Sequence, residues 1–573
     1  MLRRYTPLLI FLSLSAIFVS PVFLNIRSWG RGDWDYLEFM TEVPRRTILE
    51  YHQMPLWNPY YCGGNLMLAN PQSAFLSPLF ALIVMFGTVY GLKLLILIHM
   101  IIGLMGMYML SRELKLSPFS SYLPPVVFML SALYPLHVAE GHDSFFSMAF
   151  IPFIFLYYLK AQKRTKYAIL PAGFLALMLF SGSYMLLPPV FLFLGTYSVI
   201  EAIRVKKMKP VMVLAIILGA FILLSAIKLF PMVMLLSDYP RKVPYEQTMH
   251  VIGPDADHVG LKFLYGSLLK RGYAINNRLF PGQRWGPWEY GAYVGVIPLL
   301  LFILAMYSRK RIALSISAAL FLLISMAELS PVNIWLVLHK VPLFGSIRTP
   351  SRFIVMFVFC LAILAGTFLS RIEKKRGWFS RAALILIVIV AADLVLANRP
   401  FFSDAFIAEP VIAKKNPFFQ YEQPLSFAIY APYSTLYPSL IANRGITNCY
   451  EPLHLKTYAA PAYLINGKAN PEYRGEAYLS ESGGWVRDNY FSPNRVSVDL
   501  RVSGPDMLVI NQNYYPGWRA GGYDVVSHNG LVAVEVQPDD SKVELYFMPA
   551  DFVAGATVTI ISIAGLALLW RRL

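Results

Sequence analysis

The stretch Gly32-Asp33-Trp34-Asp35-Tyr36 sets two carboxylates around a tryptophan just after the first long apolar run of the chain. A carboxylate drawn into a hydrocarbon layer costs about 3 kcal/mol at its centre unless it is hydrated, paired or used. Such a pair either caps a helix in a wet loop or belongs to a site. Three further groups have suitable chemistry. The run Leu136-His137-Val138-Ala139-Glu140-Gly141-His142-Asp143 gathers histidines and acids. Its spacing fits no strict ligand motif, so both a metal and a phosphate, the latter bonded by His142, suit it. Arg348 and Arg352 flank Thr349-Pro350-Ser351 at the start of another apolar run. Planar guanidinium groups grip phosphate oxygens in pairs, and the alternative is snorkelling to an interface. Glu289 stands among Trp285, Trp288, Tyr290 and Tyr293. These aromatics are either interface anchors or a surface for a sugar ring, and the acid needs a partner.

Composition decides where such groups operate. With 57% hydrophobic and only 14% charged residues and a mean hydropathy of +0.52, the chain is a polytopic membrane protein rather than a soluble enzyme. A net charge of +17 would point to nucleic acid in a soluble protein. Here the basic residues cluster between apolar runs, which is a topology signal. Three cysteines are too few and too scattered for a disulfide framework or a metal site. Cys62 and Cys449 fall on one side of the membrane, which leaves a bridge between them open.

Scanning for segments of about 20 apolar residues yields roughly twelve spans. They cover residues 5–24, 90–110, 119–137, 144–160, 167–181, 186–203, 210–236, 289–307, 312–328, 352–370, 382–397 and 552–570. If every span crosses once, Arg3-Arg4, Arg112 with Lys115, Lys160 to Lys166, Arg204 to Lys209, Arg309-Lys310-Arg311, Arg371 to Arg381 and Arg571-Arg572 share one side. The positive-inside rule then predicts a multi-pass protein of the plasma membrane with both termini cytoplasmic. The long polar stretches 25–89, 237–288, 329–351 and 398–551 fall outside. The cytoplasmic loops are short and no GxxxxGK[ST] or GxGxxG motif is present, which argues against an ATP-driven pump or a nucleotide-sugar enzyme working from that side.

The elements that must position the candidate residues follow. In 25–89, Leu37, Met40, Val43, Ile48 and Leu49 alternate with charges, predicting an interfacial helix broken near Pro44. A second apolar piece, 75–87, is too short to span. Beyond residue 495 the period changes to two. Val496, Val498, Leu500 and Val502, then Val532, Val534 and Val536, then Val543, Leu545 and Phe547 predict strands of an antiparallel sandwich. The expected organisation is a transmembrane domain 1–397, an extracytoplasmic mixed, β-sandwich domain 398–551, and a final span with a cytoplasmic tail, 552–573.

Several stretches, taken in order, resemble one family. They are Gly32-Asp33, Pro55-Leu56-Trp57-Asn58-Pro59 with Gly63-Gly64, Asn70-Pro71-Gln72, Gly141-His142, Trp288-Glu289-Tyr290 before Tyr293-Val294-Gly295, Arg348 to Phe353, and Asn513-Tyr514-Tyr515-Pro516-Gly517-Trp518. This ordered set resembles the YfhO-type bacterial membrane proteins, which are similar to the GT-C class of glycosyltransferases. The resemblance implies transfer of a sugar from a polyprenyl-phosphate-linked donor to a cell-envelope acceptor, a polymer, lipid or protein, at the external face. It implies that Asp33 is the catalytic acid-base residue.

On that reading Asp33 takes the proton of the acceptor hydroxyl in a single inverting displacement. Arg348 and Arg352, with His142, bind the donor phosphate, while Asp35, Glu289, His137 and Asp143 are candidates to orient acceptor or metal. No cofactor is certain, and a divalent cation, Mg or Mn, stays open because Asp33 and Asp35 form an Asp-x-Asp. The partners are the lipid-linked donor, the acceptor and the bilayer, with no nucleic acid. Rival readings are a transporter or flippase of lipid-linked sugars and a non-catalytic accessory subunit. Against the transporter stand the long outer segments and the lack of an inverted repeat.

Overall fold

A computed structural model describes residues 2–252, 259–272, 278–306, 311–375, 377–423, 435–449, 457–481 and 483–572. Arg309, Lys310 and Arg376 of the basic clusters lie outside them. Among the described residues nine helices are long and apolar enough to cross a membrane, from Thr88–Glu113 to Ala550–Leu568. Three shorter apolar helices, Tyr5–Val19, Thr165–Phe180 and Val296–Met306, occupy the remaining expected positions. The architecture is thus a polytopic helical protein with a β-rich C-terminal region. Two boundaries differ from expectation. The first helix gives way at Ser20 to the short Pro21–Leu24 turn of helix. The eighth apolar helix begins only at Val296, leaving Glu289 in a single 3-10 turn ahead of it.

The Pro350–Glu373 segment is the most enclosed of the apolar elements beside Ser120–Glu140, and both run through the middle of the bundle. Ala550–Leu568 lies at the rim, where it packs on Lys209–Asp238 with Gly555 against the Ala226 backbone. A Cβ on Gly555 would meet the Ala226 carbonyl at 2.3 Å, so a small residue sets that close approach.

The helix expected in the first polar segment spans Asp33–Leu49 and runs through Pro44 without a break. It also does not present its polar side to water. Glu38, Thr41, Glu42, Arg46 and Thr47 are all buried, because residues 435–441 and the helices Ala81–Phe86 and Thr88–Glu113 pack against this one. The apolar 75–87 piece folds as the 3-10 turn Pro78–Phe80 and the helix Ala81–Phe86.

Among the described residues from Ala477 to Phe547 there are eight strands: β1 (Ala477–Leu479), β2 (Gly484–Ser492), β3 (Arg495–Val502), β4 (Asp506–Asn513), β5 (Trp518–Ala520), β6 (Val525–His528), β7 (Leu531–Val536) and β8 (Lys542–Phe547). They form two four-stranded antiparallel sheets, ordered β6-β7-β4-β1 and β2-β3-β8-β5. Period-two alternation explains them. Val496, Val498, Leu500 and Val502 of one sheet meet Leu508, Ile510, Val532 and Val534 of the other in a shared core, while Arg495 and Arg501 face out.

Trp57 joins this region to the bundle. Its ring lies 4.9 Å from Phe547 and 5.6 Å from Trp518, and its indole nitrogen donates to Gln512. Asn513 donates to the carbonyls of Cys62 and Gly64. Tyr515 and Trp518 are therefore buried parts of the corner. Cys62 and Cys449 form a disulfide, with Cα atoms 4.8 Å apart, that clips the same turn to the C-terminal region.

Candidate functional site

The Asp33–Leu49 helix enters the site at its N-terminus. Gly32 precedes it at φ +63°, a conformation open to glycine, and Trp34 fastens it by donating to the Val138 carbonyl at 2.7 Å. Gly141 lies against this start. A Cβ there would sit 2.5 Å from the Trp34 nitrogen, so only glycine allows the turn 141–143 to reach Asp33. The turn brings His142 Nε2 to 3.3 Å from Asp33 Oδ2. On its other edge, His142 Nδ1 is 2.9 Å from His137 Nδ1, and His137 stacks on Phe145. The relay is satisfied when His137 donates to His142, whose remaining N–H donates to Asp33.

Facing this group is a basic wall. Arg352 is buried, and Glu289 accepts its Nε at 2.6 Å and its Nη2 at 2.5 Å in a two-pronged pair. Burial opposes ionisation of Glu289, but the charge and hydrogen bonds of Arg352 outweigh it and hold the carboxyl below its usual range. Arg348 sits 4.3 Å from the Trp285 ring centroid. Loss of hydration, together with the charges of Arg352 and Arg241, lowers its pKa despite the pull of Glu289. It remains fully charged at neutral pH.

Two cavities meet at this wall. A polar chamber of about 330 Å³ is lined by Asp33, Tyr36, Gln72, His142 and Asp143 among others. An apolar cavity of about 260 Å³ is lined by Leu179, Leu187, Phe191, Phe221, Leu229 and Met232 among others. Pro71, Tyr184, Met185, Arg241, Arg348 and Arg352 line both and so form the waist between them.

The structure thus brings Asp33, His142, Asp143, Arg348 and Arg352 to one chamber. His137 stands behind His142, and Glu289 behind Arg352. Asp35 is turned elsewhere. Its carboxylate accepts the backbone N–H groups of Thr435, Leu436 and Tyr437 at 2.7 to 2.9 Å, plus the Thr435 hydroxyl, capping the Leu436–Ile441 helix. Two positions along a helix differ by about 200°, so Asp33 and Asp35 point to opposite sides. Their carboxylates do not converge on one cation. Among the described residues no group of three or more His, Cys, Asp or Glu side chains is placed to hold a metal ion. This donor set does not fit a divalent cation.

Sequence reasoning missed Arg241, Tyr184 and the exposure of Gln72 to the chamber. Arg241 had a signal. Arg241-Lys242 is a basic pair at the end of an expected span, as Arg348 and Arg352 stand at the start of another. Tyr184 had none, since its place follows only from the turn between two helices.

No protein-family model matches the chain, and no curated protein matches its sequence. Among solved structures it is similar to the arabinofuranosyltransferase AftD from Mycobacteria, at 14% identity and a TM-score of 0.42 over 69% of this chain and 27% of that one. It is also similar to ArnT from Cupriavidus metallidurans bound to undecaprenyl phosphate, at 11% identity and a TM-score of 0.45 over 78% and 87% of the two chains. The chain spans 27% of the length of AftD.

Proposed function

We propose that the protein transfers a sugar from a polyprenyl-phosphate-linked donor to a cell-envelope acceptor at the external face of the membrane. The observation that carries this reading is the waist. A ligand with an apolar tail, a phosphate and a polar head matches an apolar cavity, a trio of arginines and a polar chamber met in that order. The Cys62–Cys449 disulfide supports the external side, because such bonds persist in oxidising compartments.

In the reaction the acceptor hydroxyl oxygen attacks the anomeric carbon. The new bond forms as the bond from that carbon to the phosphate oxygen breaks, with inversion. Asp33 takes the hydroxyl proton, and the His142 N–H holds its carboxylate in place. The phosphate leaves with growing negative charge, which Arg348 and Arg241 meet with net positive charge. Arg352 shapes the same wall, with most of its charge already matched by Glu289.

The test uses purified protein in lipid nanodiscs, polyprenyl-phosphate-linked sugars and release of polyprenyl phosphate as the readout. Asp33→Asn is expected to slow transfer about a hundredfold or more. Transfer at near the unmodified rate in that variant would overturn the assignment.

A further inference from the structure

Asn70-Pro71-Gln72 lines the chamber, and its backbone is held from several directions. Lys228, buried within the Lys209–Asp238 helix, donates to the carbonyls of Pro71, Ser73 and Leu179 at 3.2, 2.5 and 2.9 Å. These three bonds use all three ammonium protons. The Asn70 side chain accepts the Gln72 N–H at 2.8 Å, closing a turn on its own backbone. Gly182, at φ +74°, presses so close that a Cβ would come within 2.4 Å of the Gln72 carbonyl. The Gln72 backbone is therefore a rigid mount.

Its side chain is not spent on that mount. Among the described residues the Gln72 amide nitrogen reaches only the Tyr184 hydroxyl, at a long 3.5 Å, and its Oε1 accepts no hydrogen bond. A shielded carbonyl oxygen without a donor is uncommon in a folded protein and marks a place for one. Gln72 lines the polar chamber but not the apolar cavity, while its neighbour Pro71 lines both. It is thus one residue past the phosphate waist, on the side of Asp33.

We infer that Gln72 reads the sugar of the donor, its amide, whose oxygen is closed off in this structure, turning to give one hydrogen bond and to accept one from neighbouring hydroxyls of a neutral sugar ring. This rests on the donor reading above and adds to it a specificity residue. A carbonyl and an NH2 on one planar group match the paired donor and acceptor character of adjacent hydroxyls, where the arginines match the phosphate. A site built this way discriminates strongly against a ligand that lacks the hydroxyls, because the shielded amide is then left unmatched.

The experiment measures binding of undecaprenyl phosphate, and of the same lipid carrying glucose, galactose, mannose or arabinose, to the full chain in nanodiscs. The unmodified protein is expected to prefer one sugar-bearing lipid over the bare phosphate by about tenfold or more. Gln72→Leu is expected to bind bare undecaprenyl phosphate unchanged, which also reports an intact fold, and to lose that preference. Gln72→Asn, with the amide drawn back by one methylene, is expected to lose most of it. Full retention of the preference in Gln72→Leu would overturn the inference. Equal binding of bare and sugar-bearing lipids by the unmodified protein would overturn it while leaving the phosphate reading in place. Binding of none of the lipids would overturn both.

Discussion

The two sides of the Asp33–Leu49 helix carry similar residue types to different ends. One side, with Asp33, Tyr36, Leu37 and Met40 at helical spacing, faces the chamber. The other, with Asp35, Glu38, Glu42 and Arg46, faces protein, and each polar group there has a structural partner. Asp35 caps the Leu436–Ile441 helix, and Glu38 accepts the Gly30 N–H at 2.7 Å. Glu42 accepts the Thr88 hydroxyl at 2.6 Å, and Arg46 donates to the Leu440 carbonyl at 2.8 Å. Burial, reinforced by the charge of Asp35, pushes the Glu38 carboxyl well above its usual range, against the pull of the Gly30 N–H and of Lys93. A carboxylate's type thus says little about its use. What separates the two sides is whether the polar atoms end against packed protein groups or line open volume.

The arginine wall repeats the contrast and yields the largest expected effect. Arg352→Ala leaves Glu289 buried without its partner, and thermal or denaturant unfolding should show a loss of about 3 to 5 kcal/mol. Arg348→Ala should leave stability nearly unchanged and instead raise the concentration of lipid donor needed for half-maximal rate, about tenfold. If the two variants behaved alike, the division of labour at the waist would be wrong.

Next comes the aspartate pair. Beside the slow Asp33→Asn variant, Asp35→Asn should keep its turnover and lose about 1 kcal/mol of stability, read as a lower melting temperature, because a helix cap is weakened. Loss of turnover in Asp35→Asn with melting unchanged would erase the distinction between the two sides.

A further expected effect is a pH dependence outside the chamber. Burial raises the Glu476 pKa from 4.5 to about 8, against hydrogen bonds from the Gln420 N–H, Tyr473 and Asn511. A raised carboxyl binds its proton more tightly in the folded chain. Its contribution to stability is therefore complete below about pH 4.5 and is lost as pH rises towards 8. Glu476→Gln should flatten that slope in melting temperatures across the range. An unchanged slope would show that Glu476 ionises freely in the folded protein.

Legibility in the sequence followed the range of the interaction. The apolar runs were readable because crossing a membrane demands about 20 consecutive apolar residues, a purely local property. The strands around Val496 to Val502 and Val532 to Val536 were readable for the same reason, since alternation is local. Pro44 misled, because the break expected of a proline assumes a helix free to bend, and this one is held on both sides. Residue type and spacing did not tell Asp35 from Asp33, which only the family resemblance separated, since the cap Asp35 forms joins positions some four hundred residues apart. Arg241 carried the same basic signal as Arg348 but gained its meaning only when two loops converged on one waist.

By itself, then, the sequence determined that the chain is a polytopic helical protein with a β-rich C-terminal region, because hydrophobic periodicity is written residue by residue. It also singled out the acids, histidines and arginines able to do chemistry. Only the tertiary structure decided which of them share a cavity. Partner choice depends on contacts between distant segments, and Gly141 against Trp34, Lys228 across Pro71, Ser73 and Leu179, and Glu289 on Arg352 are the contacts that build the chamber.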